Sequence, residues 1–192
     1  MKAITTPRWL ILELASACFL AFSWALRWHF HTPGRTPPGV WLICALSVLG
    51  YLWVVLDVLR GPLGPAWPVS LLLLAAAFVV FLLTLRASSG AGLTVAFVSD
   101  QPLTLLKRGP YKYVRHPFYA TYLAFWTATA AARPGWEPWT VPAVFGAIYW
   151  VAARREEAKF EDSSFSMDYA VYRRQAGMFL PRPSSLVSFT HP

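Results

Sequence analysis

A chain of 192 residues is long enough for one domain, and a composition that is 56% hydrophobic and only 14% charged excludes an ordinary water-soluble fold. Ten Trp and sixteen Pro agree, because Trp gathers at membrane interfaces and membrane helices tolerate Pro. The formal charge of +8 does not point to nucleic acid, since the basic residues flank apolar runs instead of forming a separate face.

The first apolar run spans Trp9 to Trp28. Lys2 and Arg8 ahead of it and Ala15-Ser16-Ala17 within it resemble a signal peptide, but the run is longer than a signal-peptide core and is read as a retained helix. Val40 to Leu59 and Trp67 to Leu85 follow, each close to the roughly 20 residues that a bilayer span requires. Cys18 and Cys44 lie inside apolar runs without metal or redox spacing and are read as small packing residues. Glu13 and Asp57 are the acids within or near these runs. Asp57, three residues before Arg60, suggests a local ion pair at the interface.

Two shorter segments complete the series, Phe118 to Ala132 and Trp136 to Ala153. Alanines at 120, 124, 128, 130, 131 and 132 suggest that they form a closely packed helical hairpin around Arg133-Pro134-Gly135. The expected fold is therefore an all-α, polytopic membrane protein of about five spans in one domain, 1–192. It divides into three N-terminal spans (1–86), a loop (87–117), the hairpin (118–153) and a tail (154–192). With that arrangement 13 of the 17 Lys/Arg fall on the side of the long loop and the tail, and the positive-inside rule makes that side cytoplasmic.

The loop ends in Gly109-Pro-Tyr-Lys-Tyr-Val-Arg-His-Pro-Phe-Tyr119. Pro117 suits the first turn of a helix, whose free N–H groups and partial positive charge bind anions, and Arg115 and His116 reinforce them. The same cluster also reads as an interfacial anchor, with Lys107, Arg108, Lys112 and Arg115 at lipid phosphates. Further on, Trp150, Arg154, Glu157 and Glu161 recur at helical spacing, which carries a carboxylate and a guanidinium back over the same membrane face. Either cluster alone reads as a structural feature. Together they offer an anion-binding helix end and an acidic pair, Glu156-Glu157, to one zwitterionic or cationic ligand.

The run from Gly109 to Tyr119, then Arg154-Arg-Glu-Glu157, then Phe165-Ser-Met-Asp-Tyr-Ala-Val-Tyr172 and Pro181, resembles the isoprenylcysteine carboxyl methyltransferase and phospholipid methyltransferase superfamily of membrane enzymes. The chain departs from many relatives at Leu103, Lys107, Ala120 and Ser166, where they carry His, Thr, Gly and Gly. The resemblance implies an S-adenosylmethionine-dependent methyltransferase acting on a lipophilic, membrane-embedded acceptor: an isoprenylcysteine-type carboxylate, a phospholipid amine or another lipid. It implies a donor site on Leu103, Thr104, Leu105, Leu106, Tyr111, His116, Pro117, Phe118, Tyr119, Glu156 and Glu157. Among these, His116 suits the donor's carboxylate and Glu156 or Glu157 its ammonium. Arg154 and Glu157 are the catalytic candidates: Arg154 to hold an acceptor carboxylate, and Glu156 or Glu157 to take a proton if the acceptor is an amine. Methyl transfer needs no metal, and no metal-binding motif is present in the sequence. The expected partners are the acceptor and membrane lipids. The alternative is an NADPH-dependent membrane lipid or steroid-type reductase, which shares an H-P-x-Y element.

Overall fold

The computed structural model describes residues 5–32, 34–95, 102 and 104–183, and these are helical with no β-strand beyond two isolated bridges. Five longer helices appear in chain order: α1 (Thr5–Trp28), α2 (Pro38–Arg60), α3 (Trp67–Ser88), α4 (Pro117–Ala131) and α5 (Thr140–Glu161). A sixth, α6 (Ser166–Gln175), lies in the stretch expected only as a tail. Pro stands in the first turn of α2, α3 and α4, where its missing N–H has no helical acceptor to satisfy. The fifth helix begins later than Trp136 because Glu137–Trp139 form a 3₁₀ turn ahead of it.

α1, α2 and α3 are long and apolar enough to cross a membrane. α4, with 15 residues, reaches roughly 22 Å at 1.5 Å per residue, short of the roughly 30 Å hydrocarbon core. Burial is inverted relative to a water-soluble bundle. Leu20, Leu42, Leu49, Leu72 and Leu83 face outward, as lipid-facing side chains must. Trp9, Trp136 and Trp139 are exposed near one end of the bundle and Trp28, Trp41 and Trp150 toward the other, a pattern of aromatic belts.

Side-chain and backbone bonds show which helix ends meet. At one end Arg8 donates to the carbonyls of Leu59 and Gly61 (2.9 and 3.1 Å), and Gly64 N–H donates to Ala132 (2.9 Å). Asp57 pairs there with Arg133 across 76 residues, at 2.8 and 3.0 Å, and not with its neighbour Arg60. At the opposite end His31 bridges Thr94, His29 Nε2 lies 2.9 Å from Ser88 Oγ, and Arg108 donates to Ala87 O at 2.8 Å. Successive helices α1 to α4 therefore alternate in direction.

The core is aromatic. Phe19 stacks on Tyr51 (4.3 Å), Trp126 on Phe145 (4.6 Å) and Tyr119 on Tyr149 (5.4 Å), which joins α1 to α2 and α4 to α5. The alanine-rich α4 was expected to pair chiefly with α5, yet its most extensive contact is with α3. A short helix flanked on two sides buries small residues on more than one face; Ala128, Ala130 and Ala132 are all inside.

Candidate functional site

The segment before α4 is built to hold still. Gly109 has φ +57°, a left-handed conformation that suits glycine, and a Cβ there would come within 2.8 Å of the Ala87 Cβ. It opens a 3₁₀ turn, Gly109–Lys112. Tyr172 of α6 donates its hydroxyl to Tyr111 O at 2.6 Å. Beyond the turn, Val114 bridges Gly177, with Arg115 N–H donating to Gly177 O (2.7 Å) and His116 N–H to Met178 O (3.1 Å). The chain that follows α6 thus straps the residues that open α4.

Arg115 is buried despite its charge because every direction of its guanidinium is met. Its Nε and Nη2 both lie 2.8 Å from Glu157 Oε1, and Nη1 donates to Ala176 O at 2.6 Å. His116 sits between two carboxylates, with Nε2 3.2 Å from Glu157 Oε1 and Nδ1 3.4 Å from Glu156 Oε2. Burial opposes its charged form, but the hydrogen bonds to Glu156 and Glu157 outweigh that, and its pKa is raised above 6.5. Burial likewise opposes ionisation of Glu157; His116 and Arg115 reverse the sign and hold it down at about 2. Glu156 accepts a hydrogen bond from the Tyr119 hydroxyl.

One cavity of about 380 Å³ adjoins this cluster. Thr104, Leu105, Leu106, Tyr111, His116, Pro117, Phe118, Tyr119 and Glu156, all named from sequence, line it together. Leu103 lies outside the described residues. Glu157 is not on the wall; it stands behind it, 1% exposed, with Oε1 committed to Arg115 and His116. Arg154 also lies off the cavity, half exposed, its Nη1 3.7 Å from Glu157 Oε2. The stripe of Trp150, Arg154, Glu157 and Glu161 is therefore split: Glu157 turns inward beside Ala153, and the other three are exposed.

The wall includes residues that the sequence did not single out. Tyr122, Tyr149, Tyr169 and Tyr172 line it beside Tyr111 and Tyr119. The Tyr169 and Tyr172 pair was visible as a spaced motif, and helical i,i+3 spacing placed both on one face. The lining from α1 and α2, including Phe19, Phe22, Ile43, Cys44 and Val48, had no sequence signal, being apolar residues among apolar residues.

A family model described as phospholipid methyltransferase matches residues 66–168, more than half of the chain. The chain belongs to that family. Neither the curated proteins nor the solved structures contain a match to it. Membership makes the protein a methyltransferase of lipids in the coarse sense, and the matched stretch runs from the start of α3 into α6, so it contains His116, Tyr119, Glu156 and Glu157.

Proposed function

We propose that the protein is an S-adenosylmethionine-dependent methyltransferase, with donor and lipophilic acceptor meeting in the 380 Å³ cavity. The observation that carries this reading is the convergence of His116, Tyr119 and Glu156 with Tyr111 and Leu106 on that one wall, although they come from three separate stretches of chain. The residues fit the donor's chemistry. Glu156 is the cavity's one carboxylate among the described residues and suits an ammonium, while the N–H groups that open α4 suit a carboxylate, His116 itself being held between Glu156 and Glu157. Tyr111, with Thr104, Leu105 and Leu106, encloses an adenosine, and the electron-rich rings of Tyr119, Tyr122 and Tyr149 suit a sulfonium.

S-adenosylmethionine supplies, when bound, a methyl carbon already activated for displacement. The protein's contribution is then alignment and exclusion of water, which the apolar walls and the strap over Arg115-His116 provide. Glu157 and Arg115 act as positioning residues, holding His116 from behind.

The wider organisation belongs to the same proposal: α4 and α5 add two crossings to α1–α3, and residues 87–117, the hairpin and the tail build the donor region on the cytoplasmic side, where most Lys/Arg lie. Calorimetry on the purified protein tests the donor assignment. Saturable binding of S-adenosylmethionine and none of NADPH is expected; the reverse would establish the reductase instead.

A further inference from the structure

The cavity does not stop at the donor wall. It continues along Phe19, Phe22 and Leu26 of α1 to Ile43, Cys44 and Val48 of α2, and there the wall carries no charge. α2 buries only Val40 near its start and Val54 and Val58 near its end. Between them Ile43, Cys44 and Val48 border this lobe, while Leu46 and Tyr51 pack against the core. Trp41, Leu42 and Leu49 alongside face outward, so the lobe lies next to lipid.

From this we infer that the acceptor is an uncharged lipophile, with an apolar body and one nucleophilic heteroatom, and not a phospholipid. The inference rests on the donor reading above, because that reading fixes where the methyl group is delivered. In an ethanolamine phospholipid four bonds separate the amine nitrogen from phosphorus, roughly 5 Å. The phosphate would therefore enter the cavity with the amine. Among the described residues the cations on the cavity wall are Arg115 and His116. Arg115 spends its donors on Glu157 and on the carbonyls of Ala176 and Arg173, and both nitrogens of His116 face Glu156 and Glu157. By sequence, the undescribed residues 1–4, 33, 96–101, 103 and 184–192 add a single Lys or Arg, Lys2, seventeen residues ahead of Phe19. With the N–H groups that open α4 given to the donor's carboxylate, a phosphate between Phe22, Tyr122 and Phe125 would meet hydroxyls but no countercharge, and low-dielectric surroundings strongly disfavour such an anion. The same rings favour a rigid, unsaturated or ring-bearing body.

The transfer balances without a further reagent. The heteroatom's lone pair forms the bond to the methyl carbon while the carbon–sulfur bond breaks and leaves its electron pair on sulfur. Any proton on the heteroatom passes to solvent.

Cys44 supplies a readout that does not depend on turnover. In a Cys18→Ala background, N-phenylmaleimide should label Cys44, and geranylgeraniol, an uncharged isoprenoid alcohol, should slow that labelling by about ten-fold or more. Dioleoylphosphatidylethanolamine should not. In parallel, labelled S-adenosylmethionine with a total lipid extract should place label in the phosphorus-free fraction, and Cys44→Trp should abolish that transfer with donor affinity unchanged. Labelled phospholipid, equal protection by the phospholipid, or protection by neither overturns the inference. Failure of S-adenosylmethionine to bind, with Cys44 still protected by the alcohol alone, would instead remove the donor reading and leave an uncharged-lipid site.

Discussion

Two arginine–carboxylate pairs tie the bundle at opposite ends, and they differ in what surrounds them. Arg133 and Asp57 fasten the end of α4 to the end of α2, with Asp57 still about a quarter exposed (26%). Gly61 makes that pair possible, since a Cβ there would lie 1.7 Å from Arg133 Nη2. Neither Arg133 nor Asp57 lines the 380 Å³ cavity. Arg115 and Glu157 are more deeply buried, at 6% and 1% side-chain exposure, and they carry His116 and Glu156 on the side that faces the cavity. One pair closes a joint. The other holds a second layer of charge in place, and that layer faces the cavity.

The comparison breaks most directly at Glu157. Glu157→Ala leaves Arg115 buried without its anion and should cost about 3–5 kcal/mol in denaturant unfolding, against about 1–3 kcal/mol for Asp57→Ala, whose site admits water. Equal losses would show that the two joints do not differ in kind.

Glu156→Gln sharpens it in the opposite sense. Glu156 is on the wall and exchanges no bond with Arg115, so its loss should weaken S-adenosylmethionine by about 10–100-fold in calorimetry with the unfolding midpoint nearly unchanged. Unaltered affinity would take Glu156 out of the donor site.

At the other end, Gly61→Ala should cost about 1–3 kcal/mol by forcing Arg133 aside, with donor affinity unaffected. A change in affinity would mean that the two ends are coupled.

Acidity separates the pairs as well. The folded pKa of Glu157, about 2, lies below its ordinary 4.5, so its contribution is present above 4.5 and is lost as pH falls through about 2. His116 is raised above 6.5, so its contribution is full below 6.5 and is lost as pH rises through the raised value. Stability from this cluster should peak between about 4.5 and 6.5, and His116→Gln should flatten the alkaline limb of unfolding midpoint against pH. An unchanged limb would break the assignment.

The smallest effect belongs to Arg154. Half exposed and 3.7 Å from Glu157 Oε2, beyond hydrogen-bond distance, it should change stability by less than ~0.5 kcal/mol as Arg154→Ala, with donor affinity unchanged. A larger loss would make it a member of the buried cluster.

Hydropathy placed α1, α2 and α3 within a few residues, because a bilayer span needs a long apolar run and nothing in the sequence can disguise one. The first residue of α4 was legible from Pro117, whose fixed φ and missing N–H suit a helix start. Nine residues named through the spaced motif share the cavity wall. What the sequence could not decide was which of two adjacent acids faces the cavity. Glu156 and Glu157 are about 100° apart on α5, and only the packing of α5 against α4 and α6 turned one to the cavity and the other to Arg115. Nor could it choose between Arg60 and Arg133 as the partner of Asp57, because that choice depends on α2 and α4 ending side by side. Charge and hydropathy are written along the chain one residue at a time, whereas a partner 76 residues away exists only once the helices have packed.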